Sequence, residues 1–164
     1  MLSGYAKWRH TKASHAIRTR FKVALIEKVP LFAGLSKREF SQIAGLVDEV
    51  EAPAGTRLAT IGEAGHELFI IVEGEARVTT QPGRTASLRA GDFFGEMSLL
   101  DGEPRSATVE ASTPIRLLVL GHREFWQLLD RTASLVHKIM HALCQRVRHA
   151  EKSVLDVKGT SVRA

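Results

Sequence analysis

Three residue types that together can hold a sugar phosphate fall within one short stretch, "FGEMSLLDGEPRSATV", residues 94–109. Gly95 lets a ligand approach the backbone closely, and Arg105 brings a planar, permanently charged fork that matches phosphate oxygens. The residues after Gly95 read as a short helix over about 96–100, whose first N–H groups would favour an anion. Ser106 and Ala107 leave room beside the arginine and add N–H or hydroxyl donors. Glu96 is out of place beside a phosphate unless it accepts a hydrogen bond from a hydroxyl of the same ligand, as a ribose provides. The alternative reading is that Glu96 and Arg105 pair only with each other across a turn.

The elements that must carry this stretch follow from the punctuation around it. Between Asp48 and Gly121, glycines and Pro53 separate short runs rich in β-branched and aromatic residues, such as "ELFIIVEGEARVTT" and "PIRLLVLG". That density of turns predicts a compact antiparallel β-barrel or jelly roll. Before it, residues 5–28 predict a basic helix with Trp8, Ile17, Phe21, Ala24 and Leu25 at roughly helical intervals. Pro30 ends that run, and "LSKREFSQIAGLV" predicts a second helix with Ser36 as N-cap and Glu39 as its capping-box partner. After Gly121, "HREFWQLLDR" predicts a short amphipathic helix. A longer helix beginning at Thr132 or Ser134 follows, with Val136, Ile139, Met140, Leu143, Val147 and Val154 on one face. The fold class expected is α+β, a β-barrel or jelly roll flanked by N-terminal and C-terminal helices.

Composition is that of a globular chain: 164 residues, 18.1 kDa, 44% hydrophobic and 25% charged. The longest apolar runs, 68–72 and 117–120, are too short to cross a bilayer, no secretory signal is evident, and Cys144 is a lone cysteine. A cytoplasmic protein with no transmembrane segment is the expectation. The net charge of +5 is unevenly spread. Residues 1–28 hold seven basic and one acidic residue, residues 29–121 hold eight and thirteen, and residues 122–164 hold eight and four. A basic surface at the ends and an acidic middle argue against a whole-protein nucleic-acid binder and point to the termini as contact surfaces. His137, His141 and Cys144 share one helix face, yet no second cluster completes a metal shell, so no metal is expected. No nucleophile with its base stands out either, so no enzyme is expected.

The stretch 94–109 resembles the phosphate-binding cassette of cyclic nucleotide-binding domains, in which Phe-Gly-Glu is followed by apolar residues and a Pro-Arg-Ser/Thr/Ala-Ala-Thr/Ser-Val segment. "VPLFAGLSKREFSQIA", "PAGTRLATIGEAGHELFIIVEGEARV" and "REFWQLLDR" resemble further parts of the same domain, so the likeness covers residues 29 to about 155. It is strongest toward the cytoplasmic domains of bacterial cyclic-nucleotide-gated channels and extends to the sensor domain of the catabolite regulators.

The resemblance implies that Arg105 takes the exocyclic oxygens of a cyclic phosphate and Glu96 the ribose 2′-hydroxyl. Gly95, Met97 and Ser98 would line the sugar, and Ser106 and Ala107 would help to hold the phosphate. The base would meet the last helix, where Arg146, His149 and Ala150, with Leu143 and Val147 nearby, are the lid candidates. Cyclic AMP is the expected ligand and cyclic GMP the alternative, because a hydroxyl after the cassette arginine can reach a guanine amino group. The expected organisation is a basic helical extension at 1–28, the binding domain at 29–157 and a flexible tail at 158–164. Neither transmembrane segments nor a DNA-reading helix-turn-helix is expected to accompany it. The function implied is a stand-alone sensor in which binding orders the cassette and moves the flanking helices. It would address an unknown protein effector, with the basic N-terminal helix as a candidate contact and the oligomeric state left open. A barrel-type interaction domain without meaningful nucleotide affinity is the competing class, and a phosphate-handling enzyme a third.

Overall fold

A computed structural model describes residues 15–160 apart from Pro82, with side chains placed over 19–154. The chain divides into two compact units between Leu128 and Leu129. The first unit opens with α1 (His15–Ile26), a single 3-10 turn at Pro30–Phe32 and α2 (Lys37–Leu46). Eight strands follow: β1 (Asp48–Ala52), β2 (Arg57–Ala59), β3 (Glu67–Glu73), β4 (Glu75–Thr80), β5 (Arg84–Arg89), β6 (Phe93–Phe94), β7 (Thr108–Ala111) and β8 (Ile115–Gly121). A short helix, α3 (Glu96–Asp101), lies between β6 and β7. The helix expected over 5–28 is present over 15–26, and its earlier part, with Trp8, lies outside the described residues.

The strands form two four-stranded antiparallel sheets, ordered β1-β8-β3-β6 and β2-β7-β4-β5. Alternation of side chains across each strand sends one set of apolar residues between the sheets. Val50, Phe69, Ile71, Phe94, Ile115, Leu117 and Val119 come from the first sheet. Ala59, Ala76, Val109 and Ala111 meet them from the second. β3 and β8 are buried on their other face as well, through Leu68, Ile70, Leu118 and Leu120, which explains their nearly unbroken apolar sequences. The small residues of the second sheet let the two layers approach around the larger side chains of the first. This is the predicted antiparallel jelly roll with flanking helices.

Local sequence chemistry accounts for the helix ends. Ser36 caps α2 with a complete capping box: the Glu39 N–H donates to Ser36 Oγ at 3.3 Å, and the Ser36 N–H donates to Glu39 Oε2 at 2.7 Å. α1 is held by its last turns. It packs on α2, its Leu25 and Ile26 are buried, and Lys22 Nζ donates to the Val47 carbonyl at 2.6 Å. The half-exposed Phe21 ring lies 5.6 Å from the Arg116 guanidinium carbon, which is itself held by Glu49, Glu51 and Glu73.

α4 (His122–Arg131) matches the segment predicted for it, and Phe125 is fully buried. The second unit is dominated by α5 (Ala133–Thr160), so helical backbone continues past 157 into the segment 158–164 that the sequence suggests is a tail. Leu135 and Ile139 in its first turns are buried, whereas Met140, Val147 and Val154 further along are exposed. The apolar face expected from spacing is thus only partly covered. No described helix is long and apolar enough to cross a membrane.

Candidate functional site

The loop between β6 and β7 carries the cassette. Phe93 and Phe94 pair with Ile70 and Phe69 of β3, and the chain then turns sharply at Gly95, whose φ of +93° is a conformation that favours glycine. Gly95 is the N-cap of α3, and Gly102, at φ +74°, ends it. α3 therefore spans one residue more than the expected 96–100, with a left-handed glycine at each end fixing its length. A side chain on Gly95 would also collide with the Glu67 carbonyl and with Arg105 Nη1, each 2.6 Å from where its Cβ would stand.

Arg105 leaves the extended segment after α3 and turns inward. Its backbone is pinned on both sides: its N–H donates to the Glu63 carbonyl, and its own carbonyl accepts from the Gly62 N–H, both at 2.8 Å. The guanidinium is buried, with 7% of the residue exposed. Nη1 donates to the Gly95 carbonyl at 3.0 Å, and Nη2 donates to the Glu67 carbonyl at 2.9 Å and to Glu67 Oε2 at 3.3 Å. Behind it the Phe69 ring lies 5.7 Å from the guanidinium carbon and stacks on Phe94 with centroids 4.9 Å apart. Burial pulls the Arg105 pKa below its ordinary value, while the negative charges of Glu67 and Glu96 oppose that shift. An arginine remains charged through any such shift, so the cassette holds a fixed cation oriented by main-chain acceptors.

Glu96 is fully buried at the start of α3. Among the described residues its Oε2 accepts no hydrogen bond, although the residue has other interactions. Arg105 bonds to Glu67 and Gly95, so the direct Glu96–Arg105 pairing considered as the alternative is not the contact that holds the guanidinium. Ser98 is buried and its carbonyl accepts from the Gly102 N–H. Met97 is exposed, and its Sδ lies 3.8 Å from Oγ of the exposed Ser106. Ala107 is partly buried beside them.

The predicted residues from Gly95 to Ala107 thus belong to one loop of the first unit. Arg146 and His149 belong to the second unit, where they line a shallow depression on α5 with Gln145, Arg148 and Lys152. His137, His141 and Cys144 are exposed or at flanking positions of α5, and among the described residues no group of three or more His, Cys, Asp or Glu is placed to hold a metal ion.

Two residues of the site escaped the sequence reading. Glu67, the first residue of β3, is the side chain that grips Arg105. Gly65 lies directly under the guanidinium, where an added Cβ would overlap Arg105 Nε, Cζ and Cδ. The sequence offers only a glycine two residues before a predicted strand; that Gly65 has no positive φ, and so marks a close approach rather than a turn, is visible only in the structure.

Comparison with known proteins shows the family of this fold. The family model described as "Cyclic nucleotide-binding domain" matches residues 49–132. A cAMP-dependent protein kinase regulatory subunit from Aspergillus fumigatus is 35% identical over 123 residues, covering 74% of this chain and 30% of that protein. A cyclic nucleotide-gated potassium channel from Rhizobium etli is 38% identical over 122 residues, covering 74% and 34%. The chain spans about a third of the length of these curated relatives. Among solved structures, a cyclic nucleotide-binding domain from Methylobacillus flagellatus superposes with a TM-score of 0.64 at 31% identity, covering 84% of this chain and 80% of that one. With more than half of its residues under the family model and a cassette whose arginine, glycine and glutamate are placed as one loop, the chain belongs to the cyclic nucleotide-binding domain family.

Proposed function

We propose that this chain is a regulatory sensor that binds cyclic AMP and carries out no chemistry on it. The observation that carries the reading is the buried, main-chain-oriented fork of Arg105, ten positions after a positive-φ glycine and beside a buried glutamate. In this reading Arg105 takes the cyclic phosphate, Glu96 accepts the ribose 2′-hydroxyl, and Gly95, Met97, Ser98, Ser106 and Ala107 line the sugar phosphate. The kinase regulatory subunit that this chain resembles is named for its dependence on cyclic AMP, which favours adenine over guanine. The binding domain is taken as 29–157, with the family match inside it. By the family resemblance, Arg146 and His149 are the candidates to meet the base, and movement of the flanking helices passes occupancy to an effector in the cytoplasm. The basic segment 1–28 is the proposed effector contact.

Titration calorimetry with cyclic AMP, cyclic GMP and 5′-AMP tests the reading. Cyclic AMP is expected to bind most tightly. At about 100 times its dissociation constant it stabilises the fold by about 2.7 kcal/mol, a rise of several degrees in Tm. Absence of heat and of a Tm shift with either cyclic nucleotide would leave the interaction-domain reading in its place.

A further inference from the structure

The Arg105 fork is oriented by two neutral carbonyls, those of Gly95 and Glu67. The carboxylate of Glu67 adds a third contact to the same Nη2, at 3.3 Å, and is 27% exposed at the mouth of β3. That contact is not needed to aim the fork, so its main consequence is its charge. Glu67 and Glu96 both act on the Arg105 cation, which leaves these three groups with a net charge of −1. A phosphodiester arriving at Arg105 carries one negative charge. A phosphomonoester above its second pKa, about 6, carries close to two. Coulomb energy scales with the product of charges, so Glu67 opposes the monoester about twice as strongly as the diester, in logarithmic terms.

We propose that Glu67 is a specificity-determining residue: its charge beside the Arg105 fork biases the site toward singly charged phosphodiesters and against dianionic phosphomonoesters. The inference rests on the reading that the cassette takes a cyclic nucleotide. It lets the site disfavour 5′-AMP, the ring-opened form of the ligand, about threefold by charge alone.

The test is calorimetric titration of the full chain with cyclic AMP and 5′-AMP at pH 8 and low salt. Glu67→Gln and Glu67→Ser remove the charge, and Glu67→Asp keeps it. A charge acting at about 7 Å through a largely solvated path changes the affinity of a monoanion about threefold. Glu67→Gln should therefore tighten cyclic AMP about threefold and 5′-AMP about tenfold, narrowing the ratio between them about threefold. Glu67→Ser, which also loses the side-chain contact, should shift both affinities yet narrow the ratio by the same factor. Glu67→Asp should leave the ratio within about twofold of the parent. Equal factors for the two ligands in the charge-removing variants, with cyclic AMP still bound, would overturn the selectivity alone. Failure of the parent protein to bind cyclic AMP would overturn the cyclic nucleotide reading and the selectivity with it.

Discussion

The guanidinium of Arg105 lies so close over Gly65 that a Cβ on the glycine would overlap Nε, Cζ and Cδ of the arginine. Gly65 has no positive φ, so alanine meets no backbone strain there and its whole effect falls on the arginine. Gly65→Ala should displace the fork from the Gly95 and Glu67 carbonyls and weaken cyclic AMP about tenfold or more, since a shift of that order costs about 1.4 kcal/mol. Calorimetry reads the affinity and circular dichroism the retained fold. An unchanged affinity would mean that the arginine reaches the phosphate from another position.

Truncating the arginine itself should do more. Arg105→Ala removes a partner from a buried charge pair and should cost about 2–5 kcal/mol in binding. It also leaves the Gly95 and Glu67 carbonyls without their donor, so a lower Tm is expected before any ligand is added. Arg105→Lys keeps the charge and loses the two-sided fork, and should recover only part of either loss. Binding and melting measured on the same preparations separate the two effects.

Base preference is addressed at Ser106, whose exposed Oγ is 3.8 Å from Met97 Sδ. If that hydroxyl serves a guanine amino group, Ser106→Ala weakens cyclic GMP about three- to tenfold, the worth of one modest hydrogen bond, and leaves cyclic AMP unchanged. Equal losses for both nucleotides would place the hydroxyl on the phosphate.

The Ser36 capping box sets a pH dependence of stability. Hydrogen bonds from the backbone and side chain of Ser36 lower the Glu39 pKa, so the carboxylate is bound more strongly in the folded chain than in the unfolded one. A lowered folded pKa adds stability that is present above the unfolded pKa of about 4.3 and disappears as pH falls through the folded value. Ser36→Ala should lower Tm at pH 7, and its difference from the parent should shrink below about pH 4. A difference of constant size across that range would rule out the Ser36 hydroxyl as a contributor to the shift, since alanine keeps the backbone N–H that is its larger cause.

Residues 1–24 include Phe21 and Lys22, which tie α1 to Arg116 and to the Val47 carbonyl. Deleting them should lower Tm by several degrees while cyclic AMP affinity changes by less than about threefold, under 1 kcal/mol. Scanning calorimetry and titration of the truncated chain check both halves. A truncated chain that melts like the parent would show that these contacts carry no stability, and would favour the basic segment as a surface held ready for a partner.

Much of this molecule is legible in its sequence because the relevant signals are local. The Ser36–Glu39 box, Gly95 ahead of α3, and the apolar runs of β3 and β8 each depend on neighbours in the chain, and each is found in the segment expected for it. The grip of Glu67 on Arg105 joins residues 38 positions apart, and the approach of Arg105 to Gly65 is equally non-local. Neither follows from spacing, since a strand-opening glutamate is ordinarily a solvated surface residue.

Because main-chain carbonyls already set the direction of Arg105, its rotamer freedom is largely spent in folding rather than in recognition. A flexible surface arginine surrenders about 0.5–1.5 kcal/mol when a ligand immobilises it. Here that loss belongs to the fold, so a small ligand with few atoms can be held tightly. The aim of the guanidinium is then as durable as the packing between β3 and the segment that follows α3.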